Sequence, residues 1–134
     1  MDPNALLPEI LKRSDFIFAG WNVLMLAGLG VVLLAGLCPA LRWQTRPGRA
    51  VVAGFVFFAL THLLGMIHVV KQWESLTEAL KHKIAADPEL AEKIGFAVMA
   101  PHLGWIVPFH LGFDAFVVLA CWWQGCGWET RREE

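Results

Sequence analysis

Five ionisable side chains stand inside or at the edge of long apolar runs: His62, His68, His102, His110 and Asp114. An ionisable group in hydrocarbon is costly, so each is a functional candidate by default. Asn22 joins them as an uncharged polar residue in the first run. His110 and Asp114 are four residues apart, so on a helix the carboxylate can reach the ring. If the helices carrying these groups are antiparallel and meet near Lys71 and Ala100, residues whose numbers sum to about 171 lie at equal depth. His62 then falls level with His110, and His68 level with His102.

Three chemistries suit such a set. Facing histidines on neighbouring helices can ligate a haem b iron, which makes His62, His110, His68 and His102 cofactor-binding candidates. Only one haem fits, because spacings of six and eight residues correspond to about 9 to 12 Å along a helix. Alternatively, His62, His110 and Asp114 can bind a transition metal, with Asp114 as a ligand or as the carboxylate that orients His110. Finally, His110 and Asp114 can form part of a proton or quinone-protonation site, since histidine titrates near neutral pH. Packing is the plain alternative, because a histidine in a membrane bundle often only hydrogen-bonds a neighbouring helix. His62 and His68 differ in facing by about 120°, so the two do not share one centre unaided.

The elements that position these groups follow from composition. Of 134 residues, 57% are apolar and 17% charged. Mean hydropathy is +0.52. That is too little polar surface for a soluble domain of this length. The net charge of −1 leaves no basic footprint, so nucleic acid is not an expected partner. Cys38, Cys121 and Cys126 make an odd count without a CxxC, which suggests neither a disulfide framework nor a zinc knuckle. The expected fold is an all-α integral membrane protein with three transmembrane helices in a single membrane domain.

The first span reads as 16–38, started by Ser14 or Asp15 and stopped by Pro39. Residues 1–15 read as a short interfacial helix. A signal peptide is the competing reading; the run is too long for an h-region, and its front flank carries both acids and bases. The second span covers 50–70, after an arginine-only loop in which Pro47-Gly48 offers turn chemistry. Residues 71–86 form an amphipathic connector, with Leu76, Leu80 and Ile84 at helical spacing, either continuing the second helix or lying in the interface. Asp87-Pro88 signals a new helix start. The third run, 94–123, contains Pro101 and Pro108, and Pro108 should kink the helix or divide it into two half-helices. Residues 124–134 read as a polar tail.

Two stripes stand out. Gly54, Thr61, Gly65, His68 and Gln72 share one face of the second helix, and Leu103, His110, Asp114 and Cys121 share one face of the third. Gly20, Gly28, Gly30 and Gly36 give the first helix small-residue faces suited to close packing. Trp43, Trp122 and Trp123 are expected at one membrane face, with Trp21, Trp73 and Trp105 at the other. Five Lys/Arg fall on one side and six on the other; the dense arginine loop favours an N-out, C-in orientation in a bacterial-type inner or an organellar membrane.

The plan of three spans with intramembrane histidines resembles the membrane anchors of succinate dehydrogenase and fumarate reductase, which hold quinone and often haem b. The resemblance covers architecture and carries over no residue. Small immunity proteins and short holin-like proteins share the three-span plan. No nucleophile elbow, phosphate loop or HExxH motif stands in the chain, so no catalytic constellation of the soluble kind is expected, and enzymatic activity is the less favoured reading. The leading functional expectation is an accessory or anchor subunit of a larger membrane complex, with a His-lined haem b or quinone site between the second and third spans. One alternative is a homo-oligomeric transporter or channel for protons, metal ions or small molecules, using the His/Asp stripe. The other is a membrane-embedded metalloenzyme. The bilayer, other membrane subunits or further copies of the chain are the expected partners.

Overall fold

A computed structural model describes residues 3–85 and 103–126. Within them, three long helices pack side by side: α1 (Pro3–Leu37), α2 (Arg46–Ile84) and α3 (Leu103–Cys126). One 3₁₀ turn, Pro39–Leu41, lies between α1 and α2. All three helices are long and apolar enough to cross a membrane. Their outer faces carry large apolar side chains such as Leu26, Leu37, Phe57, Leu64 and Trp123, as a lipid-facing surface requires.

α1 is one continuous helix rather than an interfacial helix followed by a span. Nothing between Lys12 and Phe16 breaks it, so Ser14 and Asp15 lie inside it and cap nothing. Pro8 lies in the second turn and removes one backbone hydrogen bond, to the Asn4 carbonyl, without ending the helix. Ile10, Ile17 and Leu24 repeat every seven residues and are all buried, which draws one seam along the whole element. Similarly, the connector expected at 71–86 is, as far as it is described, a straight continuation of α2. Trp73, Thr77 and Leu80 extend the buried stripe set by Met66 and Val70.

At 1.5 Å per residue α1 and α2 are about 52 and 58 Å long, well beyond a hydrocarbon core of about 30 Å. Past the described start of α3 the two helices project as an antiparallel pair, packed by a cluster that includes Ile10, Ile17, Val70, Trp73 and Leu80. A second cluster, with Leu24, Ala35, Val52, Phe55, Ala59, Val117 and Cys121, fills the other end of the bundle.

The α1–α2 connection is tight for a specific reason. Thr45 is the N-cap of α2: its hydroxyl accepts the Gly48 N–H at 3.0 Å and donates to the carbonyls of Ala40 and Arg42 at 2.8 Å each. Pro47-Gly48 therefore belongs to the first helical turn, not to the loop that its turn chemistry suggested. A Cβ at Gly48 would collide with the Arg42 carbonyl, so only glycine fits there.

α3 runs through Pro108 without interruption, so two half-helices do not form there. Of the tail expected at 124–134, the first three residues are the last of α3; Asp87-Pro88, the start of the third run and residues 127–134 lie outside the described residues.

Two of the tryptophans expected in a belt are packing residues. Trp73 is buried, and the Trp21 ring stands edge-on to Phe109 at 5.2 Å. Trp105 is 80% exposed. The glycine faces of α1 divide. Gly20, Gly28 and Gly36 face neighbouring side chains, while Gly30 faces open space. A Cβ at Gly28 would come within 2.7 Å of the Phe113 ring and 2.9 Å of Val117.

Substitution at these two glycines separates packing from helix propensity. Gly28→Ala overpacks the α1–α3 contact and should lower the denaturation midpoint in detergent by an equivalent of about 1–3 kcal/mol. Gly30→Ala meets nothing and should leave the midpoint unchanged or raise it.

Candidate functional site

The helices bring three ionisable groups into one hydrogen-bonded chain. His62 on α2 and His110 on α3 meet through Nδ1 and Nε2 at 3.1 Å. His110 Nδ1 in turn meets Asp114 Oδ2 at 2.9 Å, one turn further along α3. The His110 ring is fully buried, and the Asp114 side chain is 13% exposed. The sequence spacing fixes the second contact, because residues i and i+4 share a helix face. The first contact depends on the rotation of two helices.

That rotation is set by the apolar clusters above and below. Ala59 and Met66 flank His62 on α2, and Ile106 and Val117 flank His110 on α3; all four are buried. The polar chain thus crosses the waist between the two clusters. α1 closes the third side. A Cβ at Gly20 would come within 3.2 Å of His62 Nε2 and 3.1 Å of the Met66 sulfur, so glycine lets α1 approach the ring. Trp21 tilts over His110 at 5.5 Å, and Phe58 stacks beside His62 at 5.8 Å. Sequence reasoning missed Gly20, Trp21 and Phe58 as site residues. The spacing of eight shared by Gly20, Gly28 and Gly36 is the signal that could have found the first.

The other expected site residues are placed elsewhere. His68 is exposed on the outer side of α2, where its Nε2 accepts a hydrogen bond from Gln72 Nε2 at 2.7 Å. His102 lies outside the described residues. The stripe of Gly54, Thr61 and Gly65 faces outward. Gly54 and Gly65 meet nothing, and Thr61 bonds back to the carbonyls of Phe57 and Phe58. Asn22 is exposed on α1, and Cys121 is buried in the lower cluster.

The geometry can be tested against the cofactors expected. A metal–imidazole bond is about 2 Å long, so axial nitrogens on either side of an iron stand about 4 Å apart. Rings in direct contact at 3.1 Å leave no room for a porphyrin between His62 and His110. Asp114 meets the opposite edge of the His110 ring from His62, so the three do not converge on one point. Among the described residues no three His, Cys, Asp or Glu side chains form a metal-binding group. A haem held between His62 and His110, and a metal held by His62, His110 and Asp114 together, do not fit this arrangement.

What the arrangement can do is hold and pass a proton. Asp114, His110 and His62 sharing three protons carry zero net charge; sharing two, they carry −1. The neutral set is the cheaper one to bury among apolar side chains. With three protons the extra one can sit on Asp114, on His110 or on His62. In each case every link of the chain has a donor and an acceptor. Moving between these forms requires protons to shift along existing hydrogen bonds and no helix to move.

Comparison with known protein families, with characterised proteins and with solved structures finds no match to this chain.

The coupling between the two rings is measurable. A double-mutant cycle with His62→Ala and His110→Ala should give an interaction energy of about 1 kcal/mol in detergent unfolding. Additive single effects would mean that the rings do not touch.

Proposed function

We propose that the protein is an integral membrane subunit that handles protons within a larger membrane assembly, through the Asp114–His110–His62 chain. The observation that carries this reading is the fully buried His110 bonded on both ring edges, to Asp114 and to His62. A histidine kept only for packing needs one partner; this one joins a carboxylate to a second titratable ring.

The extent of the chain favours a subunit over a stand-alone channel. His62 and His110 are level, and Asp114 lies one turn beyond, so the polar path covers about 6 Å of a core about 30 Å thick. On one side of it lie Leu24, Phe55, Ala59 and Val117, and on the other Ile17, Met66, Val70 and Ile106, all buried and apolar. Among the described residues, one copy therefore offers a proton acceptor and donor at mid-depth without a polar route to both surfaces. A partner, or a lipid-soluble substrate such as a quinone, would exchange the proton with it. The outward face of Gly54, Thr61 and Gly65 suits close approach of another helix, from a partner or from a second copy.

Asp114→Asn tests the proposal. Assemblies isolated from native membranes with the wild-type and variant chains should have the same composition, because asparagine keeps the size and one hydrogen bond. The proton-coupled turnover of the variant assembly should fall about 10²- to 10⁴-fold, the usual contribution of a positioned acid–base group. Unchanged turnover would contradict the reading. Dissipation of a pH gradient by the purified protein alone in liposomes, abolished by Asp114→Asn, would replace it with a homo-oligomeric proton transporter.

A further inference from the structure

We infer that the projecting end of the α1–α2 pair holds the phosphate of an anionic phospholipid, in a site organised by Arg13 and Lys71. This site is independent of the buried Asp–His–His chain.

Three observations carry it. First, Arg13 is fixed in place from the protein side. Its guanidinium donates to Gln72 Oε1, and Gln72 Nε2 is bonded in turn to His68 Nε2 at 2.7 Å. A pre-positioned planar guanidinium with donors to spare is suited to binding phosphate oxygens. Arg13 Nε is buried and has no hydrogen-bond partner among the described residues. Glu9 reaches only a terminal nitrogen of Arg13, at 4.0 Å.

Second, two adjoining clefts share Arg13. One, of about 400 Å³, is lined by His68, Lys71, Gln72 and Ser75. The other, of about 350 Å³, lies between Glu9, Lys12, Phe16 and Val69. Among the residues lining the two, Lys12, Arg13 and Lys71 are cations and Glu9 is the only acid, in a chain whose net charge is −1. Ser75 adds a hydroxyl donor at the rim of the first cleft.

Third, the clefts lie where a headgroup would be. The uncharged run of α2 ends at Val70 and Lys71 follows it; on α1, Arg13 precedes the apolar run that opens with Phe16. Charge and apolar wall therefore meet within one helical turn. A phosphate at Arg13 and Lys71 leaves acyl chains to run along Phe16 and Val69. Free phosphate would use the charges and none of the apolar wall, so the lipid is the better match.

The test is native mass spectrometry of the full chain, released from bilayers of phosphatidylcholine with a minority of phosphatidylglycerol. Wild-type protein should retain phosphatidylglycerol selectively. The double variant Arg13→Gln with Lys71→Gln should retain about thirtyfold less, the loss expected for two interfacial cations. Lys71→Gln alone touches no bundle contact and should lose about fivefold, which keeps the outcome readable if the double variant folds poorly. Equal retention of phosphatidylcholine, or unchanged retention by Lys71→Gln, would overturn the assignment. So would inorganic phosphate displacing the lipid at millimolar concentration, which would mark a site for the free anion.

Discussion

A polar group in an apolar interior must be satisfied by its neighbours, because neither lipid nor a dry core supplies hydrogen bonds. His110 is where that constraint acts most strongly in this molecule. Its ring is fully buried, and both of its nitrogens are used, one by Asp114 on the same helix and one by His62 on another. The bundle is arranged so that these contacts are possible. α2 and α3 must turn His62 and His110 toward each other, and α1 must come close enough to seal the pair from the third side. Gly20 allows that approach at His62, and Gly28 allows the parallel approach at Phe113 and Val117. Dispersion and close packing, rather than a hydrophobic drive between helices, hold such contacts in lipid.

The two apolar clusters give the polar chain its rigidity. One packs the projecting end of α1 and α2, and the other packs the end near the Thr45 cap. Between them the chain has only the freedom of its protons. A charge stranded there would be expensive, while a proton shared among three groups with zero net charge is not. The same logic separates the two polar sites. The Asp–His–His chain centres on the fully buried His110 ring. Arg13, Gln72 and His68 sit at the edge, where long cationic stems can lie along apolar surface and keep their heads toward water.

Much of this was legible in the sequence, and the reason is periodicity. Three apolar helices follow from three long uncharged runs, and the i, i+4 spacing fixes the His110–Asp114 contact. Matched depth paired His62 with His110, because two antiparallel helices with a common turning level near Lys71 and Ala100 place residues whose numbers sum to about 171 side by side. Rotation about the helix axis was not legible. The sequence places Gly54, Thr61 and Gly65 on one face without saying which way that face turns, and it points outward. The fourth group of that stripe, His68, is exposed and bonds Gln72 on its own helix. At Asp15 charge was taken for a helix boundary, whereas at Lys71 continuation of the second helix was one of the two readings. Asp15 and Lys71 mark the limit of the apolar surface, and the backbone of each helix continues past them because nothing there removes a hydrogen bond. Trp21 and Trp73 were assigned to a belt by depth alone, and depth does not say whether an indole faces lipid or a neighbouring helix.

The central claim is that His62 and His110 share a hydrogen bond inside the bundle. Solid-state NMR of the ¹⁵N-histidine-labelled protein in lipid bilayers reads it directly, through transfer between nitrogens across a shared proton. The account predicts a correlation between His62 Nδ1 and His110 Nε2 that disappears in His62→Ala. Two resolved histidine spin systems without that correlation, each with the shifts of a water-exposed ring, would contradict it.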